Sequence, residues 1–546
     1  MKGILWVDTE VNGKNVRTEY IQKYISYEIK IEHPFLLIPV KIKEETERLS
    51  FYLEDQKVLE YQVFPLEEGE IVDYYAPVPV ASWIGRTIRL EGNYPEAFYA
   101  KMKQADRLPQ SEQLHPLMHF SPVNGWMNDP NGLVCQDGIY HLFYQHNAFG
   151  TKWDNMSWGH AVSEDLLHWE HRSMAILPDE DGTIFTGSGL CNEKGLLELP
   201  ENALVFFYTS AGGSSDSPWS EGRQFTQRIA YSTDRGETLH KKNQMIVPNL
   251  TRGNRDPKVY WHEESKGYIM SLYLKDHEYA ILRSEDLEHW ELTQRIFLLT
   301  TRECPDLRPV PVEGGQEKWM LFTALGEYFT GDFDGFQFTN LDEGRMAYQN
   351  ELPYAGQTYF DLKDRVVLMH WLRTKNPKKY YTGMMGIPRE LTFIKGEEGF
   401  ILRQSVIREW KEQRILARDE KLQKQWEDES VRNAALELYL KVQGAFLLSV
   451  NIYGQKLSYQ RREGILWVNG VSCKVKEDLR DLSIIVDREI LEVAANEDTL
   501  LYFFETDLQE LAGKISVEAD QKGDSCLWKI QFDGCMWIIL SEREHE

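Results

Sequence analysis

The chain has 546 residues, and its 61 lysines and arginines against 86 aspartates and glutamates give a formal net charge of −25. A chain of this length is expected to form about two to four domains. So negative a surface repels phosphate backbones and anionic lipid headgroups, which disfavours nucleic acid and membranes as partners.

Three further features bear on the compartment. No apolar run approaches the roughly 18 residues of a membrane-spanning helix, and the first ten residues lack the apolar core of a signal peptide. The six cysteines are too sparse for a disulfide framework, and none lies in a C-x-x-C pair. These features predict a cytoplasmic protein without structural disulfides or zinc.

The first hundred residues contain short segments in which apolar and polar side chains alternate. Residues 26–32 read Ser-Tyr-Glu-Ile-Lys-Ile-Glu, and residues 49–53, 60–64 and 86–90 are similar pieces bounded by turn residues. A period of two is typical of a half-buried strand. We therefore predict an N-terminal antiparallel β module over residues 1–108, with a short helix and a linker from Glu96 onward.

A diluted repeat marks the middle of the chain. The segment Ala161-Val-Ser-Glu-Asp-Leu-Leu-His-Trp-Glu170 returns almost unchanged over residues 282–291, and a weaker copy covers residues 230–239. In each copy a strand-like piece runs into Ser-x-Asp, which suits a tight turn. Repeats with the spacing of these three copies, built from short strands, are typical of the blades of a β-propeller. We predict a five-bladed propeller over residues 109–400.

The amino-acid composition changes after residue 400. Residues 401–433 are rich in charged side chains with scattered tryptophan, isoleucine and leucine, which we interpret as a charged helical linker. Strand-like segments return at residues 435–441, 447–452 and 482–486. We therefore predict a C-terminal β-sandwich over residues 434–546, and an all-β fold for the chain as a whole.

Several catalytic machineries are absent from the sequence. It holds no phosphate-binding glycine loop and no G-x-S-x-G elbow, which disfavours nucleotide-dependent enzymes and serine hydrolases. His115 and His119 are four residues apart, but Pro116 breaks the helix that would align them on a metal. No metal site is predicted.

Carboxylates beside turns remain as candidates for chemistry. Asp129, Asp256 and Glu303 each lie just before a proline or a cysteine-proline pair, at the start of a strand-like segment. Each one alone is explained as well by a turn or a local ion pair. In a propeller, equivalent positions of successive blades converge on the central channel, so the three predict a cluster of carboxylates there.

The motifs that carry these acids form a specific constellation. Residues 119–132, which contain Trp126-Met-Asn-Asp-Pro-Asn-Gly132, resemble the signature of glycoside hydrolase family 32, the invertase, inulinase and levanase family. Further motifs agree with that family in order, namely Phe143–Asn147, Trp158–Ala161, Phe185–Ser188, Arg255–Val259, Glu303–Leu307, Tyr354–Thr358, Ile387–Leu391, and Val486-Asp-Arg followed by Leu491-Glu-Val. The resemblance covers about residues 115–546 and implies a propeller followed by a sandwich.

The resemblance implies a role for each acid. Asp129 matches the nucleophile, Glu303 the acid/base, and Asp256 the residue that holds sugar hydroxyls and stabilises the transition state. A fructofuranosyl bond breaks through an oxocarbenium-like state, which a carboxylate stabilises while an acid of raised pKa protonates the departing oxygen. Retention of configuration predicts carboxyl groups of Asp129 and Glu303 about 5–5.5 Å apart.

The resemblance also implies a fructose subsite. The residues at matching positions are Asn128, Gln145, Trp153, Phe185, Thr186 and Arg255, with Trp371 as a further aromatic candidate. Asp154, Ser157 and Arg308 depart from the commonest family residues, and we expect them to border the leaving-group side.

We therefore expect a retaining, exo-acting β-fructofuranosidase that hydrolyses terminal fructosyl residues of sucrose or short inulin- or levan-type oligosaccharides. It would need no metal or organic cofactor, and its partners would be small carbohydrates. Two alternatives stay open, a fructosyltransferase that uses the same acids and a non-catalytic fructan-binding protein. The sequence leaves linkage preference and oligomeric state open, a homo-oligomer included.

Overall fold

The computed structural model describes residues 2–11, 14–23, 25–360, 362–397, 399–422, 425–442, 444–475 and 477–530. Nearly all regular structure in these ranges is β-strand. The only α-helices among them, Glu96–Ala100 and Arg408–Glu412, have five residues each. No helix in the described ranges is long and apolar enough to cross a bilayer.

The N-terminal module consists of a hairpin and two small antiparallel sheets. The hairpin pairs Lys2–Val11 with Lys14–Lys23. One sheet has the order Ile25–Lys30, Thr87–Gly92, Glu47–Leu53, Gln56–Val63, and the other the order Tyr74–Pro79, Phe35–Val40, Lys103–Ala105. A 3-10 turn covers Ala81–Trp83. Alternate residues such as Leu49, Phe51 and Leu90 are fully buried, as the period of two predicts.

The next strands form one five-stranded, two four-stranded and one ten-stranded sheet. We divide them in chain order into five antiparallel units of four strands, named blades 1 to 5, of which blades 4 and 5 share the ten-stranded sheet. Their strands are, for blade 1, Gly125–Gln136, Ile139–Asn147, Ser157–Ser163 and Glu170–Ile176; for blade 2, Thr183–Cys191, Leu204–Ala211, Phe225–Ser232 and His240–Val247; for blade 3, Arg255–His262, Gly267–Lys275, Glu278–Ser284 and Glu291–Phe297; for blade 4, Asp306–Val312, Gln316–Phe322, Glu327–Phe333 and the short Phe338–Thr339; for blade 5, Pro353–Thr358, Val367–Leu372, Arg389–Gly396 and Gly399–Val406. Shorter pieces are Pro218–Ser220, Arg345–Met346, Tyr381–Thr382 and Met384–Met385.

The blades close into a ring. The first strand of blade 1 packs against the first strands of blades 2 and 5, and the first strand of blade 3 packs against those of blades 2 and 4. Tyr381–Thr382, which follows the second strand of blade 5, pairs in parallel with Gly125 and Trp126 of blade 1. The first strands therefore line the centre of the ring, and residues at their beginnings meet at one end of it.

The sequence repeat has a structural explanation. Its three copies lie where the third strand of blades 1, 2 and 3 ends in a turn. In the first copy the Ser163 hydroxyl bonds Asp165, whose carboxylate accepts the backbone N–H groups of Leu167 and His168. The other copies repeat the serine–aspartate bond between Ser284 and Asp286 and between Ser232 and Asp234. The interpretation of the repeat as a blade unit agrees with this placement.

Two six-stranded sheets form the sandwich and share one apolar core. The first has the order Arg414–Leu422, Gly523–Ile530, Leu436–Lys441, Asp481–Val486, Ile490–Ala495, Leu500–Glu505, and the second the order Gln425–Asp428, Ile515–Ala519, Leu447–Ile452, Gln455–Gln460, Ile465–Val468, Val471–Lys474. Residues 531–546, which we predicted as part of the sandwich, lie outside the described residues.

The prediction of a helical linker over residues 401–433 is wrong. Among the described residues of this range only Arg408–Glu412 is helical, while Arg414–Leu422 and Gln425–Asp428 are the outermost strands of the two sandwich sheets. Edge strands carry many charges because one side of each meets water. Their partners, Gly523–Ile530 and Ile515–Ala519, lie about a hundred residues later, so local patterning could not reveal the pairing.

Candidate active site

The three predicted acids lie at the beginnings of three first strands. Asp129 falls at an irregularity in the pairing of blade 1, and Asp256 at an irregularity in blade 3. Glu303 ends the connection that enters blade 4. Asp256, Glu303 and Cys304 have positive φ angles of 64°, 62° and 43°. Such backbone is strained for residues with a side chain, and it is concentrated at functional sites.

Cys304 brings the carboxylates together. Its thiol lies 3.5 Å from Asp129 Oδ2 and 3.7 Å from Asp256 Oδ2, and its backbone N–H donates to Asp256 Oδ2 across 3.1 Å. The residue that follows Glu303 in the chain therefore contacts both aspartates. The predicted cluster of carboxylates is present at one end of the ring.

Arg255 is the cation of the cluster. Its Nη2 donates to Glu303 Oε1 across 2.6 Å, and its Nε lies 3.7 Å from Asp256 Oδ2. The guanidinium also stacks over the ring of Tyr273, 4.5 Å from the centroid. Held on three sides, this side chain fixes the distance between two of the acids.

Tyr354, in the first strand of blade 5, donates its hydroxyl to Glu303 Oε2. Together with Arg255 it occupies both oxygens of Glu303. The sequence predicts no role for Tyr354 or Cys304, although both lie within motifs of the family constellation. The signal was therefore present, but the contacts depend on blades that meet only in the folded ring.

The acids differ in their proton affinities. Burial raises the pKa of Asp256 to about 7; Arg255 opposes this rise, and the charges of Asp129 and Glu303 add to it. Burial also raises the pKa of Asp129, while Thr186 and Asn128 oppose that rise. Three carboxylates beside one guanidinium thus favour retention of a proton in the cluster.

Glu303 differs from the expectation of a raised pKa. Burial raises its pKa, but the charge of Arg255 and the hydrogen bonds from Tyr354 and Arg255 outweigh that effect and hold it below the ordinary value. In the ligand-free site, Glu303 therefore favours its ionised form, because that is the form that its neighbours stabilise.

Two predicted subsite residues bind Asp129 directly. Thr186 donates its hydroxyl to Asp129 Oδ2 across 2.6 Å, and Asn128 donates Nδ2 to Asp129 Oδ1 across 3.1 Å. Asn128 is oriented in turn by Trp126, whose indole N–H donates to its Oδ1 across 2.7 Å. Gln145 on the neighbouring strand is 2% exposed, and its Nε2 lacks a hydrogen-bond partner within the described chain. An unpaired buried amide of this kind suits a sugar hydroxyl.

The predicted aromatic residues form two groups at the site. Trp153 meets Phe185 edge-on, with ring centroids 5.8 Å apart, and remains 41% exposed. Trp371 meets Trp126 at 5.7 Å and Tyr354 at 6.2 Å. Asn128, Thr186 and Arg255 thus bond a carboxylate directly, and Trp371 reaches Glu303 through Tyr354. Trp153 and Phe185 are linked to Asp129 through Thr186, the residue that follows Phe185.

Two residues expected on the leaving-group side lie elsewhere. Arg308 is 6% exposed and donates to the Thr358 hydroxyl across 2.7 Å, and Ser157 is 1% exposed. Asp306, three residues after Glu303, is 1% exposed and accepts both the N–H and the hydroxyl of Thr358. Asp306 and Arg308 lie at the buried beginning of the first strand of blade 4, and Ser157 begins the buried third strand of blade 1.

Buried carboxylates of unlike pKa, held in one cluster, define a site of the glycoside hydrolase type. The family model described as the glycosyl hydrolases family 32 N-terminal domain matches residues 119–405, more than half of the chain. The chain belongs to glycoside hydrolase family 32.

The chain is similar to several named members of the family. It is 35% identical over 338 residues to the levanase of Bacillus subtilis, covering 56% of this chain and 48% of the levanase. It is 36% identical over 285 residues to an invertase of Debaryomyces hansenii, covering 47% of this chain and 51% of the invertase. The matched region thus spans about half the length of these relatives.

Solved structures share the fold. The exo-inulinase from Aspergillus awamori has a TM-score of 0.70 at 23% identity and covers 79% of this chain and 100% of the inulinase chain. A family 32 glycoside hydrolase from Bifidobacterium adolescentis has a TM-score of 0.65 at 17% identity and covers 94% of this chain and 100% of its own. These likenesses support the predicted all-β architecture of propeller and sandwich.

Proposed function

We propose that the chain is a retaining, exo-acting β-fructofuranosidase that hydrolyses terminal fructosyl residues of short fructosides. The observation that carries the proposal is the cluster of Asp129, Asp256 and Glu303, joined by Cys304 and Arg255 in a member of this family. The names of the relatives, levanase and invertase, support fructosides as the substrate class.

In the first step Asp129 attacks the anomeric carbon of the terminal fructose. The bond from that carbon to the leaving-group oxygen breaks, and Glu303 gives its proton to that oxygen. Both oxygens of Asp129 are oriented by donors, Asn128 on one and Thr186 on the other, which positions the attack. Asp256 holds sugar hydroxyls as positive charge develops on the ring.

In the second step a water molecule attacks the same carbon of the fructosyl–Asp129 ester. Glu303, now ionised, takes a proton from the water, and Asp129 leaves as a carboxylate. Two inversions give net retention of configuration. Arg255 and Tyr354 suit Glu303 to this step because they stabilise its ionised form.

The first step requires Glu303 in its protonated form, although the ligand-free site favours the ionised one. Its side chain is 26% exposed, so a bound sugar would remove the remaining water. Desolvation disfavours charge and raises the pKa of a carboxyl group. Substrate binding would thus supply the rise that the first step needs.

Stereochemistry tests the proposal. With methanol as the acceptor, a retaining enzyme transfers the fructosyl group to give methyl β-D-fructofuranoside, which proton NMR distinguishes from the α anomer. The α anomer would contradict retention, and a lack of cleavage of every fructoside tried would contradict the activity.

A matched pair of variants tests the nucleophile. Asp129→Asn should lose activity by orders of magnitude, because the amide cannot form the ester. Asp137→Asn removes a carboxylate from the turn that ends the same strand and should retain full activity. Near-native turnover by Asp129→Asn would place the nucleophile elsewhere.

The chain length of the substrate and the cytoplasmic location stay predictions. If the enzyme meets only imported sugars, its kcat/KM for a fructose-containing disaccharide should exceed that for long-chain levan. Comparable values for the two substrates would contradict this part of the proposal. Measured product ratios at high substrate concentration would also separate hydrolysis from fructosyl transfer.

A further inference from the structure

The N-terminal module contacts blade 1 through the loop of residues 148–156, which joins the second and third strands of that blade. Phe149 of this loop belongs to the apolar core of the module. Its ring centroid lies 4.4 Å from that of Tyr61, and both side chains are 1% exposed. The loop is therefore anchored in the core of the module at Phe149.

Asn155 closes the loop onto the module with two hydrogen bonds. Its Oδ1 accepts the backbone N–H of Gln62 across 2.7 Å, and its Nδ2 donates to the backbone carbonyl of Gln62 across 2.8 Å. Gln62 lies on the edge strand of its sheet, so these two backbone groups have no strand neighbour on that side. The side-chain amide thus takes the place of a further strand.

The same loop is braced internally. Asn155 Nδ2 also donates to Asn147 Oδ1 across 3.1 Å, and Asn147 Nδ2 donates to the carbonyl of Lys152 across 3.0 Å. Trp153 lies between these two fixed points. Its ring meets Phe185, whose neighbour Thr186 binds Asp129. Three contacts, joined by short stretches of backbone, therefore connect Gln62 to the carboxylate cluster.

The module also reaches the corresponding loop of blade 2. Lys57 places its ammonium group 5.2 Å from the ring centroid of Trp219. Asp216 of that loop accepts the backbone N–H of Met156 across 3.2 Å and the hydroxyl of Thr183 across 3.0 Å. The module thus contacts two loops, the loop of blade 1 that carries Trp153 and the corresponding loop of blade 2.

We infer that the N-terminal module is a positioning element of the sugar site, in which Gln62 and Asn155 hold Trp153 against Phe185. Its contribution is to the binding of the furanose ring, because none of the contacts from the module reaches Glu303 or Arg255 among the described residues. This inference rests on the proposed function, in which Trp153 lines the subsite.

The test compares two substitutions at one position in the full chain. Gln62→Pro removes the N–H that Asn155 accepts, at an edge strand where proline is tolerated, whereas Gln62→Ala keeps both backbone groups. We expect Gln62→Pro to raise KM for sucrose about three- to tenfold, the range that one net hydrogen bond supplies. Its kcat and the pH profile of kcat should stay unchanged, and Gln62→Ala should match the wild type.

A second variant and a readout without catalysis complete the test. Asn155→Gly removes the side-chain amide while tolerating the positive φ of 51° at this position. Both Gln62→Pro and Asn155→Gly should speed hydrogen–deuterium exchange over residues 148–156 relative to Gln62→Ala. Unchanged exchange, or a fall in kcat at constant KM, would overturn the inference. A wild-type protein inactive on all fructosides would instead overturn the proposed function, while the exchange result would still report on the loop.

Discussion

The guanidinium of Arg255 donates to Glu303 across 2.6 Å and so joins the first strand of blade 3 to the residue that leads into blade 4. The two neighbouring acids favour different protonation states. The pKa of Glu303 is lowered, whereas burial raises the pKa of Asp256 to about 7. A resting site with Glu303 ionised and a proton retained near Asp256 follows from this arrangement.

Tyr354→Phe should move the alkaline limb of the pH profile of kcat/KM to higher pH. The substitution removes a hydrogen bond that stabilises ionised Glu303, so its pKa rises, and the protonated form that the first step needs persists to higher pH. Tyr140→Phe is the control, because that hydroxyl binds Arg365 outside the site. A shift of the limb to lower pH would contradict the assignment.

Asp256→Asn should change how stability depends on pH. The unfolded carboxyl group loses its proton near its ordinary pKa of 3.8, whereas the buried one keeps it to about 7. The buried Asp256 therefore does not lower the free energy of unfolding below pH 4. It lowers this free energy increasingly between pH 4 and 7 and by the full amount above pH 7. We expect the Tm of the variant, relative to wild type, to be higher at pH 8 than at pH 4. An equal difference at both pH values would be inconsistent with a raised pKa.

His119 lies in a buried ion network between propeller and sandwich. Its ring contacts Asp487 at 3.1 Å and Glu492 at 3.0 Å, and all three side chains are at most 1% exposed. Burial opposes the charge on His119, but the two carboxylates outweigh it and raise its pKa to about 9. The stabilisation of the folded protein by these ion pairs is fully present below pH 6.5 and is lost as pH rises through 9.

His119→Gln should therefore destabilise the protein by about 3–5 kcal/mol near pH 6, because it removes the cation beside the buried Asp487 and one of the two cations beside Glu492, which keeps Arg389. The loss, measured by chemical denaturation, should shrink toward pH 10. His289→Gln is the matched control, since His289 pairs with Asp286 on the surface, where solvent screens the pair, and should change stability far less. Equal effects of the two variants would contradict the interface role.

The sequence predicted those features that depend on local chemistry. The Ser-x-Asp turns identified the blades because serine and aspartate bond to backbone groups within a few residues. It did not predict the contact of Tyr354 with Glu303, the two strands within residues 401–433, or the docking of Gln62 on Asn155. Each of these joins segments that lie 51 or more residues apart, and no period in the sequence encodes such a distance.

The central claim is that Glu303 protonates the leaving group and Asp129 forms the ester. The most direct measurement compares Glu303→Ala on sucrose and on a fructosyl donor with a fluoride leaving group, with mass spectrometry of the trapped protein. We expect almost no turnover of sucrose but rapid formation of an adduct on Asp129 from the activated donor, a gap of about 10²–10⁴-fold that general-acid catalysis supplies. The adduct should persist, because the base for the second step is missing. Equal slowing of both substrates, without an adduct, would show that Glu303 only binds or positions the sugar.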